Sequence, residues 1–314
     1  MIKSQYSQIL IAVLLQCLFF LYPLSGNAGI LFILFYASPL PLYLIGIIYS
    51  WKISALTAAL SSLLIYYQTF KLFGLTQVVL YSTIFAIPAI YFTYLINLNR
   101  KLSDETEDIA WYPLSYLISK ILITSMLLAI IGVLFLGTNF SDYQAAITSI
   151  YSNVYQIRPD LEQAIQLNTI ELISASLPVL FVIFWVFIFI CNLWISLKLA
   201  SLWGYLNRPW PNFDQINLPT TYIYALLLVM VLSYLTSGIF QIISISITFS
   251  ILVGYSICGL SILHNVTKDI RLRPVILTAL YTIVLIFIPF IIPITILGIL
   301  NYKKNLRDII KKRR

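Results

Sequence analysis

Nine stretches of the chain are almost purely apolar: 8–24, 28–50, 53–69, 75–98, 113–136, 173–197, 220–236, 239–263 and 275–300. A helix rises 1.5 Å per residue, so roughly 20 apolar residues cover a hydrocarbon core of about 30 Å. Transmembrane strands would instead leave segments of about ten residues with alternating polarity. These runs do not alternate. The pattern predicts an all-α fold, a polytopic transmembrane helical bundle with eight to nine membrane segments. The weakest run is 53–69, which holds Ser54, Thr57, Ser61, Ser62 and Gln68. Its serines and alanines suit a helix packed among other helices, where small residues permit close approach. The first run follows Met1-Ile2-Lys3 as a signal peptide would. It has no clear small-residue cleavage site and further spans follow at once, so we read it as a retained helix.

The final run, 275–300, contains Pro289 and Pro293. Each removes a backbone donor and favours a kink or break. The expectation is a Pro-broken hairpin that enters the membrane and returns to the same side, its irregular backbone shielded by protein or facing a cavity. The alternative is a plain ninth span with the tail outside, or a miscount of the spans upstream. The longest connection, 137–172, repeats Ile147, Ile150, Tyr151 and Val154 at helical spacing. That predicts a short amphipathic helix lying in the interface, with a second over Leu161–Leu167. Such a loop is either a lid over an outward cavity or a packed surface connection. The domain reading is one integral membrane domain, 1–301, followed by a basic cytoplasmic tail, 302–314.

Composition sharpens the assignment. Of 314 residues, 61% are hydrophobic and 10% charged, against about a quarter charged in soluble domains. The formal charge of +8 does not point to nucleic acid. Seven positive charges lie in the tail: Lys303, Lys304, Arg307, Lys311, Lys312, Arg313 and Arg314. A basic cluster beyond a membrane helix sets topology and meets anionic lipid headgroups. With a cytoplasmic N-terminus, the inner connections hold Lys52, Arg100, Lys101, Lys198, Arg208, Lys268, Arg271 and Arg273, and the outer ones only Lys71 and Arg158. That asymmetry is expected of a multi-pass protein of the bacterial inner membrane. Cys17, Cys191 and Cys258 lie inside apolar runs without paired spacing, as small packing residues do.

Candidate chemistry is sparse. No Asp or Glu falls mid-span, so coupling to protons through this chain alone is disfavoured. Tyr116, Lys120 and Thr124 share a helix face at i, i+4, i+8 spacing. Lys120 either lines a site for an anionic or carbonyl-bearing ligand or snorkels to the headgroups. Asn192, beside Cys191, bonds to another helix or to a ligand. Gln241, Ser244, Thr248, Tyr255 and Gly259 trace one face of their span, with Gly254 and Cys258 on an adjacent stripe; that face is a packing seam or a cavity wall. The cavity-lining candidates are thus Tyr116, Lys120, Thr124, Asn192, Gln241 and Thr248. His264 stands alone at a span end, so no metal site is expected. The acidic cluster Asp104, Glu105, Glu107 and Asp108 reads as a solvated loop. No catalytic or nucleotide-binding motif occurs, so neither an enzyme nor a cofactor is expected. Arg208, Trp210 and Phe213 are candidates for docking a partner, or are interfacial aromatics and their cation.

Several short motifs carry a resemblance. Asn207-Arg208-Pro209 and Leu218-Pro219 precede two spans, Cys258-Gly259-Leu260-Ser261-Ile262-Leu263-His264 ends one, and Leu297-Gly298 precedes the tail. In these the chain resembles the YybS-like family of predicted bacterial membrane proteins, of unknown function. Ser38-Pro39-Leu40-Pro41 through Gly46, followed by Ala55–Ala59, is distantly similar to substrate-binding subunits of energy-coupling-factor transporters. Ser50 and Ser54 stand where glycines follow in those subunits, and their docking pattern of paired alanines falls in the third segment. The resemblance implies a membrane subunit that binds or helps move a small molecule and borrows its energy from other membrane subunits. The competing expectation is a non-catalytic assembly or envelope-organisation protein.

Overall fold

The computed structural model describes residues 2–22, 32–101, 109–157, 167–211, 213 and 216–304. Of these, 84% are helical. The helices in chain order are α1 (Ile2–Leu21), α2 (Phe32–Tyr36), α3 (Leu40–Ile48), α4 (Trp51–Phe73), α5 (Thr76–Tyr81) and α6 (Ile87–Asn97). A two-stranded hairpin, β1 (Asn99–Lys101) with β2 (Ile109–Trp111), precedes α7 (Leu114–Leu136), α8 (Phe140–Ile157) and α9 (Leu167–Leu202). Then come α10 (Thr221–Leu235), α11 (Gly238–Val266), α12 (Arg273–Ile286) and α13 (Ile291–Lys304). Five helical stretches are long and apolar enough to cross a membrane: Trp51–Phe73, Thr76–Asn97, Leu114–Leu136, Leu172–Leu202 and Gly238–Val266. Five shorter apolar helices accompany them. The chain forms two compact units. The first is Met1–Leu117 with Phe187–Pro211, and the second is Ile118–Val186 with Asn212–Arg314.

In the first unit α4 is apolar on the outside and mostly small or polar on the inside. On α4 the buried stripe is Ser54, Thr57, Ala58, Ser61, Ile65 and Thr69, while Leu56, Leu60, Leu63 and Tyr67 face outward. This inverts the soluble pattern, and it is the arrangement expected when lipid is the solvent. Three of the four buried hydroxyls are satisfied locally: Thr57, Ser61 and Thr69 each donate to the carbonyl four residues back, at 2.8–2.9 Å, while Ser54 donates to the Leu42 carbonyl at 3.0 Å. The run 53–69 therefore becomes a full helix, started by Ser50, whose Oγ accepts from the Ile53 amide at 3.4 Å. On α1 the buried stripe Ile9, Ala12, Val13, Gln16, Cys17 and Phe20 keeps the same periodicity. Phe20, Phe35, Tyr81 and Phe85 meet edge-on and stacked in the middle of this unit.

One expected continuous span is divided and another carries a local irregularity. Run 28–50 holds α2 and α3, separated by a turn over Ala37–Pro39; Pro39 and Pro41 begin a new helix better than they continue one. Run 75–98 contains a π-helical turn, Ser82–Ala86, which joins α5 to α6.

In the second unit α8 confirms a helix in the 137–172 connection but turns a different face inward. Tyr143 and Ile147 are buried against Val133, Ile239 and Ile242, whereas Ile150 is half exposed. Asn139 sets the phase, since its Oδ1 accepts from the Asp142 amide at 2.8 Å and fixes the first turn. The Tyr143 hydroxyl donates to the Ser174 carbonyl at 2.8 Å. The side chains of Tyr151 and Val154, and the expected helix over Leu161–Leu167 apart from Leu167 itself, lie outside the described residues, as does the acidic cluster 104–108.

The final run departs from the expected hairpin. It breaks as anticipated, at Phe287 and the 3-10 turn Ile288–Phe290, but α12 and α13 do not pair side by side. Instead α13 packs on α11: Ser256 and Thr295 share a hydrogen bond of 2.6 Å, Gly259 faces Ile294, and Gly298 faces Tyr255. The contact numbers fall on one helix as they rise on the other, so the two run antiparallel. The cause is glycine. A Cβ at Gly259 would overlap the Ile294 carbonyl, and one at Gly298 the Tyr255 carbonyl. Backbones can meet only where no side chain intervenes.

Candidate functional site

The six residues singled out as cavity-lining are held in different ways. Asn192 is 5% exposed, and its Nδ2 donates to the carbonyls of Tyr36 (2.7 Å) and Ile188 (2.8 Å). It ties α9 to the end of α2. Thr124 and Thr248 donate to the carbonyls of Lys120 and Ser244, both at 2.9 Å. The Gln241 amide reaches the Ser233 carbonyl at 3.3 Å, joining α11 to α10. Tyr116 is 52% exposed, and Lys120 is half-buried on α7. The structure thus leaves one of the six, Lys120, with an ammonium that no described side chain or carbonyl engages. Among the described residues no three His, Cys, Asp or Glu side chains converge. His264 shares a hydrogen bond of 2.7 Å with the Tyr281 hydroxyl.

The docking candidates divide between the units: Arg208 and Trp210 in the first, Phe213 in the second. Arg208 Nη1 donates to the Ile96 carbonyl at 2.9 Å, and its guanidinium lies 5.5 Å from the centre of the Trp111 ring. Ile96 is in the last turn of α6, where carbonyls lack helical partners and a cation is favourable. Burial lowers the Arg208 pKa below the usual arginine range. Lys198 sits over the Trp210 ring at 5.5 Å, and Trp51, next to Lys52, meets Tyr94 at 5.8 Å. The strand register places Asn99 opposite Trp111, so Arg100 and Lys101 continue from the same end. Lys52, Arg100, Lys101, Lys198 and Arg208 therefore gather with tryptophans at one end of the first unit. Cations mixed with interfacial aromatics are the usual dress of a membrane–water boundary.

The second unit contains a feature that the sequence reading did not place. The stretch Ile216–Pro219 is not helical and lies along α11. The Ile216 amide donates to Ser261 Oγ at 3.1 Å, and Leu218 packs on Gly254, where a Cβ would come within 2.8 Å of its Cδ1. Asn301 Nδ2 donates to Asn217 Oδ1 at 2.7 Å, tying α13 to the same stretch. Only then does α10 begin, with Leu226 packed on Ile251 and Tyr255 in the middle of α11. At 15 residues α10 is about 22 Å long, short of the core thickness.

A groove opens beside the start of α10. It is about 240 Å³ and is walled by α7 (Leu122, Ile123, Met126), α10 (Thr221, Tyr222, Ala225) and α11 (Ile247, Ser250, Ile251). Two of its hydroxyls are already used. Tyr222 bonds to the Ser119 hydroxyl at 2.6 Å, and Ser250 donates to the Leu122 carbonyl at 3.2 Å. What remains on offer is almost wholly apolar. A second groove, in the first unit, lies between α1 and α4, with Leu14, Cys17, Leu18 and Leu64 in its walls. None of the six expected cavity residues lines either groove.

The pattern of the family described as Predicted membrane protein (DUF2232) matches residues 10–301. The chain belongs to that family. The match covers every helix described here except part of α1 and the end of α13. No curated protein and no solved structure matches the chain. Membership fixes the class, a membrane protein with transmembrane helices, and assigns no chemistry. Within that class the sequence signals that could have revealed the groove were faint: Leu218-Pro219 ahead of a short apolar run, and Gly254 four residues from Ser250.

Proposed function

We propose that the chain is a non-enzymatic membrane subunit that binds a small apolar or amphiphilic molecule from within the bilayer and relies on other membrane subunits for any energy coupling. One observation carries this reading: the groove between α7, α10 and α11, apolar in its walls and bounded by the short helix α10, which packs through Leu226 on the middle of α11. Non-helical backbone at membrane depth is tolerated where it is buried in protein or borders a cavity, and Ile216–Pro219 leads directly into the groove wall. The absence of intramembrane acids and of nucleotide-binding motifs in the sequence agrees with borrowed energy. The likeness to YybS-like proteins, and through them to transporter binding subunits, belongs to the same reading. So does placement in a bacterial inner membrane with the N-terminus cytoplasmic and eight or nine segments; the gathering of five cations at one end of the first unit supports that orientation.

The test is purification from native membranes in a lipid-preserving detergent, followed by native mass spectrometry. The expected result is one bound small molecule per chain, lost in Ala225→Phe, which fills the groove. A chain that carries no small molecule in either form overturns the proposal. A second reading, assembly or envelope organisation, is favoured by α12, none of whose side chains is buried. A reproducible protein partner in place of a ligand would select it.

A further inference from the structure

We propose that the occupant of this groove is one acyl chain of an anionic phospholipid, whose phosphate meets the ammonium of Lys120; the inference rests on the groove being a binding site. Three observations lead there. The groove is smaller than the roughly 300–1,000 Å³ of sites for drug-sized molecules, and its walls are apolar on all three helices, which suits part of a hydrocarbon tail. Its wall hydroxyls on Tyr222 and Ser250 are committed to Ser119 and Leu122 and the third, on Thr221, lies at the exposed start of α10, so the body of the occupant needs no polar groups of its own.

The third observation concerns charge. Lys120 is the only Lys, Arg, Asp or Glu in α7, α10 and α11. It lies three residues before Ile123, a wall residue, on the same side of α7. Helical side chains lean toward the helix N-terminus, so the ammonium extends past the groove's end toward the start of α7. Lys120 is six residues beyond Leu114, so its Cα is about 9 Å into the helix. A lysine stem reaches from there to the headgroup level. The Ser119–Tyr222 hydrogen bond holds the start of α10 at the same level. A molecule with its tail between α7, α10 and α11 would thus present its head to the one cation these helices carry. An anionic head complements it, whereas a zwitterionic head brings its own cation.

The experiment uses the full chain, delipidated in detergent and then offered phosphatidylglycerol or phosphatidylcholine with identical acyl chains, with bound lipid counted by native mass spectrometry. The wild type should retain one phosphatidylglycerol about fivefold better than phosphatidylcholine, which corresponds to the roughly 1 kcal/mol that one lysine near an anionic surface contributes. Lys120→Gln should remove the preference, Lys120→Arg should keep it, and Ala225→Phe should lower retention of both lipids. If Lys120→Gln still prefers phosphatidylglycerol while Ala225→Phe loses lipid, the phosphate assignment fails and the groove remains a binding site. If Ala225→Phe changes nothing, the groove reading falls with it.

Discussion

The two units solve the same problem, building helices in lipid, with different means. In the first, close packing is made by side chains against carbonyls: Asn192 to Tyr36, Ser54 to Leu42 at 3.0 Å, Asn97 to Gly46 at 2.7 Å and Arg208 to Ile96. In the second, the closest approach is backbone on backbone, at Gly259 and Gly298. Lipid tails are as apolar as leucine, so neither can rely on the hydrophobic effect to press helices together. Polar ties tolerate adjustment because a side chain can rotate. Backbone contacts do not.

That contrast can be broken at matched glycines, measured as unfolding free energy in mixed detergent micelles. Gly259→Ala should cost about 3 kcal/mol or more, the top of the ordinary range for overpacking, and Ile294→Ala should not restore it because the obstacle is a carbonyl. Gly46→Ala in the first unit should cost about 1–2 kcal/mol. The three atoms nearest its added methyl are all in the Thr93 side chain, at 2.6–2.8 Å, and Thr93→Ala removes two of the three. Partial rescue is therefore expected in the first unit alone; equal rescue in both would erase the distinction.

A smaller effect sharpens it. Asn192→Leu should cost about 1 kcal/mol, within the span measured for interhelical hydrogen bonds in membranes. Gln241→Leu, losing a bond of 3.3 Å, should stay within about 0.5 kcal/mol by the same scale. If Gln241 proved the costlier of the two, polar ties would matter more in the second unit than its geometry suggests.

The smallest change concerns Arg208. Replacing it by lysine keeps the charge but loses the guanidinium contact with the Trp111 ring at 5.5 Å. Global stability should not move, while chymotryptic cleavage near Trp203 and Tyr205 should accelerate; unchanged cleavage would mean that Arg208 does not hold its loop.

Much of the fold was readable in advance because hydrophobic run length is a strong signal. The starts of α4, α7 and α11 fall within two residues of expectation. What failed did so for local reasons. Pro39 and Pro41 divide a run that hydropathy alone treats as continuous. Tyr143, with an aromatic body and a polar tip, was not recognised as the inward residue of α8, though Asn139 fixes the phase that buries it. The expected hairpin at 275–300 was inferred from prolines, and the partner of α13 was decided instead by Gly259 and Gly298, whose complementarity is visible only once two distant helices are side by side. Among the site candidates, Asn192 showed itself by being polar in an apolar run. Its purpose, a tie to the carbonyl of Tyr36, 156 residues away, could not be read from periodicity. Gln16 is the converse: fully buried on α1, its amide donating to Ser38 at 3.2 Å, it sits inside an apolar run where hydropathy gives no sign of a partner.

The brevity of α10 has a consequence for how the protein is made. A segment of 15 residues emerging from the ribosome is too short to be stopped in the bilayer as a spanning helix by itself. Its neighbour α11, joined to it through Thr236 and Ser237, is 29 residues long and amply apolar. The pair is therefore best integrated as one helical hairpin after α11 has been synthesised, so the groove at the start of α10 comes into being late, on a scaffold that α7 has already laid down.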